Sequence, residues 1–230
     1  MAAKIKNIAL IPLRGGSKGI PRKNLKRING NPLCSYAINA ALKAECIHEV
    51  WISSDDYEII DYVKSNFPKV KIRIRPDEFA TDTATTESVI LDIINANQFK
   101  PTDQLILIQA TSPLVTSKDL DEALLQLSES EKNSLVSGVE FKRFTWKNDG
   151  NPLNYNVYKR PRRQDFEGLF LENGAFYISN IETILRTKNR IDTPALLYLM
   201  SDESAYEIDE ISDWLIVENL LKNKMNEQCI

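Results

Sequence analysis

The sequence predicts an α/β domain built on a doubly wound, mostly parallel sheet with helices on both faces. Three observations carry that reading. Short apolar runs alternate with amphipathic ones along most of the chain, the order that parallel sheets covered on both sides require. Some apolar runs, such as "IALIPL" and "QLILIQ", are continuous rather than alternating, as strands buried on both faces are. The amphipathic runs hold their apolar residues at helical spacing.

Each element follows in order. Ile8–Leu13 reads as a buried first strand. Leu33, Tyr36, Ala37, Ala40, Ala41 and Ala44 fall at helical spacing, with Pro32 at the entry. "EVWISS" reads as a strand, and "DDYEIIDYVKSN" as a helix with Ile59, Ile60 and Val63 on one face. "VKIRIR" is a short alternating strand stopped by Pro76. "TTESVILDIINANQ" is a helix with Val89, Ile90, Ile93 and Ile94 inward, and "QLILIQ" a central strand. "TSKDLDEALLQLSES" is a helix with its cap at Ser117 and a stripe of Leu120, Ala123, Leu124 and Leu127. "SLVSGVEF" and "ALLYLM" read as strands, and "SDWLIVENLLKN" as the last helix.

One interval breaks the alternation. "FKRFTWKNDGNPLNYNVYKRPRRQDFEG", residues 141–168, is too long for an ordinary connection. It reads as an insertion leaving a single domain that spans residues 1–230. Its aromatic side chains suggest a docking surface, and a homodimer is the expectation.

Bulk properties narrow the function. A chain of 230 residues buries roughly 70–75% of its unfolded surface and needs no staples. A net charge of −3 argues against a nucleic-acid coat protein, so any anion site must be a local basic cluster. Cys34, Cys46 and Cys229 are odd in number and lack metal spacing, which fits reduced thiols in the cytoplasm. No apolar run is long enough to span a bilayer. The single histidine, His48, sits where a helix gives way to a strand, and a structural role is the expectation.

The stretch "IPLRGGSKGIPRKN" concentrates the chemistry. Arg14, Lys18, Arg22 and Lys23 precede Asn24, and Lys26 follows. The loop matches neither Gly-x-x-x-x-Gly-Lys-Ser/Thr nor Gly-x-Gly-x-x-Gly. On residue types alone it reads equally as a solvated basic turn or as a phosphate cradle of backbone N–H groups and cations.

The order of its residues resembles the signature loop of the CMP-sialic acid synthetases, the N-acylneuraminate cytidylyltransferases. "RPDEFATDTATTES", "LILIQATSPL", "KRPRRQDFEGLFLENGAFYI" and "YEIDEISDW" resemble further segments of that family, in the same order. The resemblance implies a nucleotide-diphospho-sugar transferase-like fold, and CTP with its triphosphate in the first loop. Arg14, Ser17, Lys18, Lys23 and Asn24 fall on the family's phosphate and nucleotide contacts, and Arg75, Asp82 and Gln109 on positions near the base, ribose or acceptor sugar. Arg14, Lys23 and Asp209 are the expected catalytic residues, the two cations opposing charge that builds on phosphate oxygens.

Asp209 matches the family's central Mg²⁺-binding aspartate. Its usual aspartate partner two residues earlier is here Glu207, which alternation places on the same face of an extended strand. Asp213 reads equally as a carboxylate of that set or as a helix cap. Read alone, Lys159, Arg160, Arg162 and Arg163 suggest a nuclear signal or nucleic-acid patch. The resemblance instead implies that Arg162, Arg163 and Gln164 project from a dimer arm and complete the neighbouring subunit's sugar site. Glu172, Asn173, Phe176 and Tyr177 resemble the edge of that site, though Phe176 and Tyr177 read almost as well as strand core.

The expected reaction joins CMP from CTP to the anomeric 2-hydroxyl of a sialic acid, with release of pyrophosphate. Alternatives are a cytidylyltransferase for another nonulosonic acid, such as deaminated sialic acid or legionaminate, and a non-catalytic nucleotide- or nucleic-acid-binding protein. The expected partners are CTP, a sialic acid and a second copy of the chain, with neither nucleic acid nor membrane.

Overall fold

The computed structural model describes residues 5–81 and 83–227. Asp82 and Cys229, both named above, lie outside the described residues. The chain opens with β1 (Asn7–Pro12), the basic loop, and a small hairpin of β2 (Arg27–Ile28) and β3 (Asn31–Pro32). It continues through α1 (Cys34–Lys43), β4 (Glu49–Ser54), α2 (Tyr57–Asn66), β5 (Lys71–Ile74), α3 (Thr86–Ala96), β6 (Gln104–Ile108) and α4 (Ser117–Ser128). It closes with β7 (Ser134–Phe141), β8 (Leu169–Asn180), α5 (Ile181–Thr187), β9 (Leu196–Leu199) and α6 (Ile211–Glu227).

Among the described residues seven strands form one sheet in the order β5-β4-β1-β6-β8-β7-β9. β1 pairs parallel with β4 and β6, β4 with β5, and β7 with β9. β8 runs antiparallel to both β6 and β7. The mostly parallel sheet is as expected; the long antiparallel strand over "LFLENGAFYISN" and the helix after it are elements that the periodicity did not reveal.

Alternation along β1 shows why the sheet is covered twice. Ala9 and Ile11 join α1, α2 and α4 in one core, whereas Ile8 and Leu10 join α3 and α5 in a second. Successive side chains on a strand point to opposite faces, so an unbroken apolar run feeds both layers. A third, smaller cluster joins Ile20 of the basic loop and Ile208 of the acidic segment to Trp214, Val217 and Leu221 of α6. Ile20 and Ile208 are both fully buried, which favours each placement by about 1.5–3 kcal/mol. Two like charges 4 Å apart in water cost only about 1 kcal/mol, so this burial can hold a loop that its own cations would open.

Local chemistry sets the helix starts. Asp56 caps α2 by accepting from Glu58 N (2.8 Å) and Ile59 N (3.1 Å). α4 is capped by Thr116, not Ser117: Thr116 Oγ1 accepts from Asp119 N at 3.2 Å and Asp119 Oδ2 accepts from Thr116 N at 2.9 Å. The correction has a physical reason, because only this register places a carboxylate three residues into the helix to answer the cap. His48 Nδ1 accepts from Asn7 N at 3.0 Å, the structural role expected of it.

Phe141 pairs with Leu169 inside the sheet, so the long excursion is 142–168, one residue shorter than the sequence suggested. It links two antiparallel strands. Its aromatics do not all face outward: Phe144 packs against Tyr155 and Phe166 with ring centres 4.4 and 4.8 Å apart, and Arg160 lies 4.3 Å over the Phe144 ring. Trp146, Leu153 and Tyr158 remain exposed.

Candidate active site

A cleft of about 780 Å³ opens at the carboxyl ends of β1 and β6. The chain leaves β1 toward β4 and β5 on one side, and β6 lies on the other. Ligands of open α/β sheets bind at such a switch point.

The basic loop forms one wall. Gly15 N donates to Asp55 Oδ1 at 3.2 Å, and a Cβ on Gly15 would strike the Asp56 side chain. Arg22 pairs with Asp56 at 2.9 Å and also with Glu58. Lys26 Nζ lies 4.7 Å from the Trp214 ring centre. Those two cations therefore fasten the loop to α2 and α6, while Arg14, Lys18 and Lys23 line the cleft with Ser17 and Asn24. The Asn24 amide donates to Arg14 O at 2.9 Å and holds the bend.

The acidic segment forms the opposite wall. Lys23 Nζ donates to Ile208 O at 2.7 Å and to Asp209 Oδ1 at 3.0 Å. A Cβ on Gly19 would collide with the Asp209 carbonyl, so only glycine lets the loop approach this closely. Glu207 lines the cleft beside Asp209. Burial, and then the nearby Asp209 carboxylate, raise its pKa above the ordinary range, with Lys23 opposing them. Asp213, in the first turn of α6, accepts at Oδ2 from Asp209 N (3.0 Å) and Glu210 N (2.8 Å), the carboxylate's part in a capping box at the helix entry. Among the described residues no three His, Cys, Asp or Glu side chains converge as a metal cage. Two carboxylates with open positions suit a hard divalent ion that completes its shell with phosphate oxygens and water.

The floor and far end come from the strands. Arg75 follows β5 and is buried; its Nη2 donates to Ser53 O at 2.7 Å and its Nε to Ser53 Oγ at 3.2 Å. Burial lowers its pKa, Asp55 opposes the change, and the neighbouring Arg14 charge adds to it. Gln109, just past β6, donates from Nε2 to Gly174 O at 2.6 Å. Tyr177 donates to Glu172 Oε1 at 2.5 Å, and both residues line the cleft. Burial and then the Glu172 carboxylate push the Tyr177 hydroxyl's pKa up, so it remains a donor.

Two expected site residues are buried in the framework instead. Phe176 is wholly buried against Tyr198, because pairing with Ile108 turns it to the α1 side of the sheet. Asn173 is buried as well, accepting from Ser137 Oγ at 2.8 Å and donating to Ser204 O at 3.0 Å. Both belong to the framework. Arg162, Arg163 and Gln164 sit on the 142–168 excursion and do not line this cleft; Arg163 borders a smaller basic hollow with Arg143 and Arg160. Sequence reasoning missed Thr85 and Thr86, which bring the N-terminus of α3 to the cleft. Thr85 Oγ1 accepts from Ser88 N at 3.2 Å, a cap that "TTES" could have signalled.

A glycine-rich basic loop beyond the first strand, facing a carboxylate segment across the switch point, makes this an α/β domain of the doubly wound class with a charged cleft at its switch point. The chain belongs to the cytidylyltransferase family, whose sequence profile matches residues 8–223. It is 36% identical over 221 residues to N-acylneuraminate cytidylyltransferase B of Danio rerio, covering 91% of this chain and 50% of that protein. It is 30% identical over 223 residues to N-acylneuraminate cytidylyltransferase of Streptococcus agalactiae serotype V, covering 93% and 52%. The chain thus spans about half the length of these curated relatives. Its fold is similar to that of CMP:2-keto-3-deoxy-manno-octonic acid synthetase complexed with CTP, with a TM-score of 0.68 and 15% identity over 95% of this chain and 99% of that one. It is also similar to 4-diphosphocytidyl-2C-methyl-D-erythritol synthase, with a TM-score of 0.68 and 17% identity over 95% and 100%.

Proposed function

We propose that the chain transfers CMP from CTP to the anomeric 2-hydroxyl of a sialic acid and releases pyrophosphate. The observation that carries this reading is the convergence of the loop cations and the acidic segment on one cleft, with Lys23 Nζ 3.0 Å from Asp209 Oδ1. The family and the names of the relatives support it. The hydroxyl oxygen forms a bond to the α-phosphorus, the bond to the β-phosphate bridging oxygen breaks, and the hydroxyl proton is lost.

Arg14 and Lys23 oppose the charge that grows on the phosphate oxygens and on the departing pyrophosphate. Ser17, Lys18 and Asn24 hold the triphosphate against the loop. Asp82 belongs to the proposed nucleotide set. Arg75 supports the nucleotide from the floor, and its buried bonds to Ser53 fix it before substrate arrives. Gln109, Glu172 and Tyr177 face the acceptor. Glu207 and Asp209 fit Mg²⁺, because a carboxyl whose charge is disfavoured by burial and by a second carboxylate gains from a cation between them. When bound, Mg²⁺ supplies charge neutralisation at the phosphates and lowers the pKa of the attacking hydroxyl.

A homodimer is part of the proposal, with Arg162, Arg163 and Gln164 of each excursion completing the sugar site of the other subunit. The exposed Trp146, Leu153 and Tyr158 support such a contact. A reducing, cytoplasmic setting is also proposed, in keeping with the free thiols of Cys34 and Cys46; no described helix is long and apolar enough to cross a membrane. The test is pyrophosphate release with CTP, Mg²⁺ and N-acetylneuraminate, run beside deaminated sialic acid and legionaminate. Release that requires nucleotide, metal and acid together is expected. Absence of release with every nonulosonic acid overturns the proposal.

A further inference from the structure

We infer that Arg190, held by Glu87, is a positioning residue that fixes the Tyr177 ring and so aims the Tyr177–Glu172 pair at the acceptor. The inference rests on the preceding reading of the cleft and adds a residue to which no sequence motif pointed.

Arg190 lies between α5 and β9 and does not line the cleft. Its guanidinium carbon is 5.2 Å from the Tyr177 ring centre. Its Nε donates to Glu87 Oε1 at 2.6 Å, and Glu87 is in the first turn of α3, directly after the cleft residues Thr85 and Thr86. The main chain here is also anchored. Arg190 O accepts from Ser179 Oγ at 2.7 Å, Ser179 Oγ lies 2.7 Å from Ser134 Oγ, and Asp192 N donates to Ser134 Oγ at 2.9 Å. Ser179 sits two residues beyond Tyr177 on β8. The arginine is thus fixed at backbone and head, and it reaches back over a ring on the strand that anchors it.

Two constraints then act on Tyr177. A cation over the ring face is attracted by the ring quadrupole, and the hydroxyl is tied to Glu172 at 2.5 Å. Together they hold the ring at the cleft wall. The Tyr177 proton occupies one acceptor position of Glu172 and leaves others for a hydroxyl or amide donor on the acceptor. The Arg190 charge also offsets Glu172 where an acidic sugar must approach. A lysine keeps that charge but lacks the flat guanidinium face.

The full chain tests this by steady-state kinetics with acceptor and CTP varied separately, in Arg190→Gln, Arg190→Lys and Glu87→Gln. Arg190→Gln is expected to raise the acceptor KM about tenfold and Arg190→Lys about threefold, while the CTP KM stays within about twofold and kcat changes little. Glu87→Gln should move the acceptor KM in the same direction as Arg190→Lys. An unchanged acceptor KM in Arg190→Gln overturns the inference, as does a CTP KM that rises in step, which marks general loosening. Should Arg190→Gln fail to fold, Arg190→Lys and Glu87→Gln decide by the same ratio. A wild type that turns over beside an unaffected Arg190→Gln removes this inference alone. A wild type inactive with every nonulosonic acid removes the proposed function as well.

Discussion

Lys23 and Asp209, 186 residues apart in the chain, meet across the cleft at 3.0 Å, and Lys23 also reaches the carbonyl of Ile208. The pair joins the loop after the first strand to the segment before the last helix. Replacing Lys23 with alanine should lower kcat by about 10²–10³-fold, the range seen when a fixed transition-state donor is removed. The stability cost should be about 1–3 kcal/mol, from the two hydrogen bonds lost. Turnover and thermal melting of K23A check both, and near-normal turnover would remove Lys23 from its role.

The two wall carboxylates should set the metal requirement. Chelation is expected to stop pyrophosphate release, and added Mg²⁺ to restore it. Asp209→Asn and Glu207→Gln should each raise the Mg²⁺ concentration for half-maximal rate by at least about tenfold, the lower end of what outer-shell changes cost. Activity that persists after chelation would contradict the assignment.

Gly19 and Gly16 offer a matched pair in one loop. A Cβ on Gly19 meets the Asp209 carbonyl, whereas one on Gly16 meets nothing within 4 Å. Gly19→Ala should force the loop off the acidic segment, destabilise the fold by about 1–3 kcal/mol and weaken CTP binding. Gly16→Ala should melt with the wild type. Thermal melts with and without CTP separate the two.

Acid stability should depend on Glu49, far from the site. Burial works against its charge, but hydrogen bonds from Lys6, Lys71 and Trp51 prevail and bring the carboxyl from 4.5 to about 2. The lysine contacts are 2.8 and 2.9 Å long. A carboxyl held below its unfolded value stabilises the fold above about pH 4.5, and that contribution drains away as pH falls toward 2. Glu49→Gln should therefore cost about 1–2 kcal/mol at pH 7, after allowance for the exposed lysine ends. The loss relative to wild type should shrink between pH 4.5 and 2, which denaturant unfolding across that range would show.

Much of the fold was legible because its signals are local. The strands over Asn7–Pro12 and Gln104–Ile108 announce themselves by unbroken apolar runs, and the helices by period and cap. The strand over Leu169–Asn180 was not legible as a unit: a shift of register between Val136 and Gly138 interrupts its alternation, and its antiparallel direction follows from the path of residues 142–168. The same limit explains the site. Arg14, Lys23 and Asp209 stand in ordered motifs, but whether Phe176 and Asn173 face cleft or core depends on strand register. A slip of one residue exchanges the two faces.

The layered α/β architecture, the basic loop at the end of its first strand and the acidic segment before its last helix can all be read along the chain. These are matters of periodicity, capping and residue type within a few neighbours. Packing and strand register settle which cations fasten the loop and which face the cleft, and bring Arg190 over Tyr177. Those relationships join residues from 13 to nearly two hundred positions apart, and they are set by how buried side chains pack and how strands register, which no short window of sequence contains.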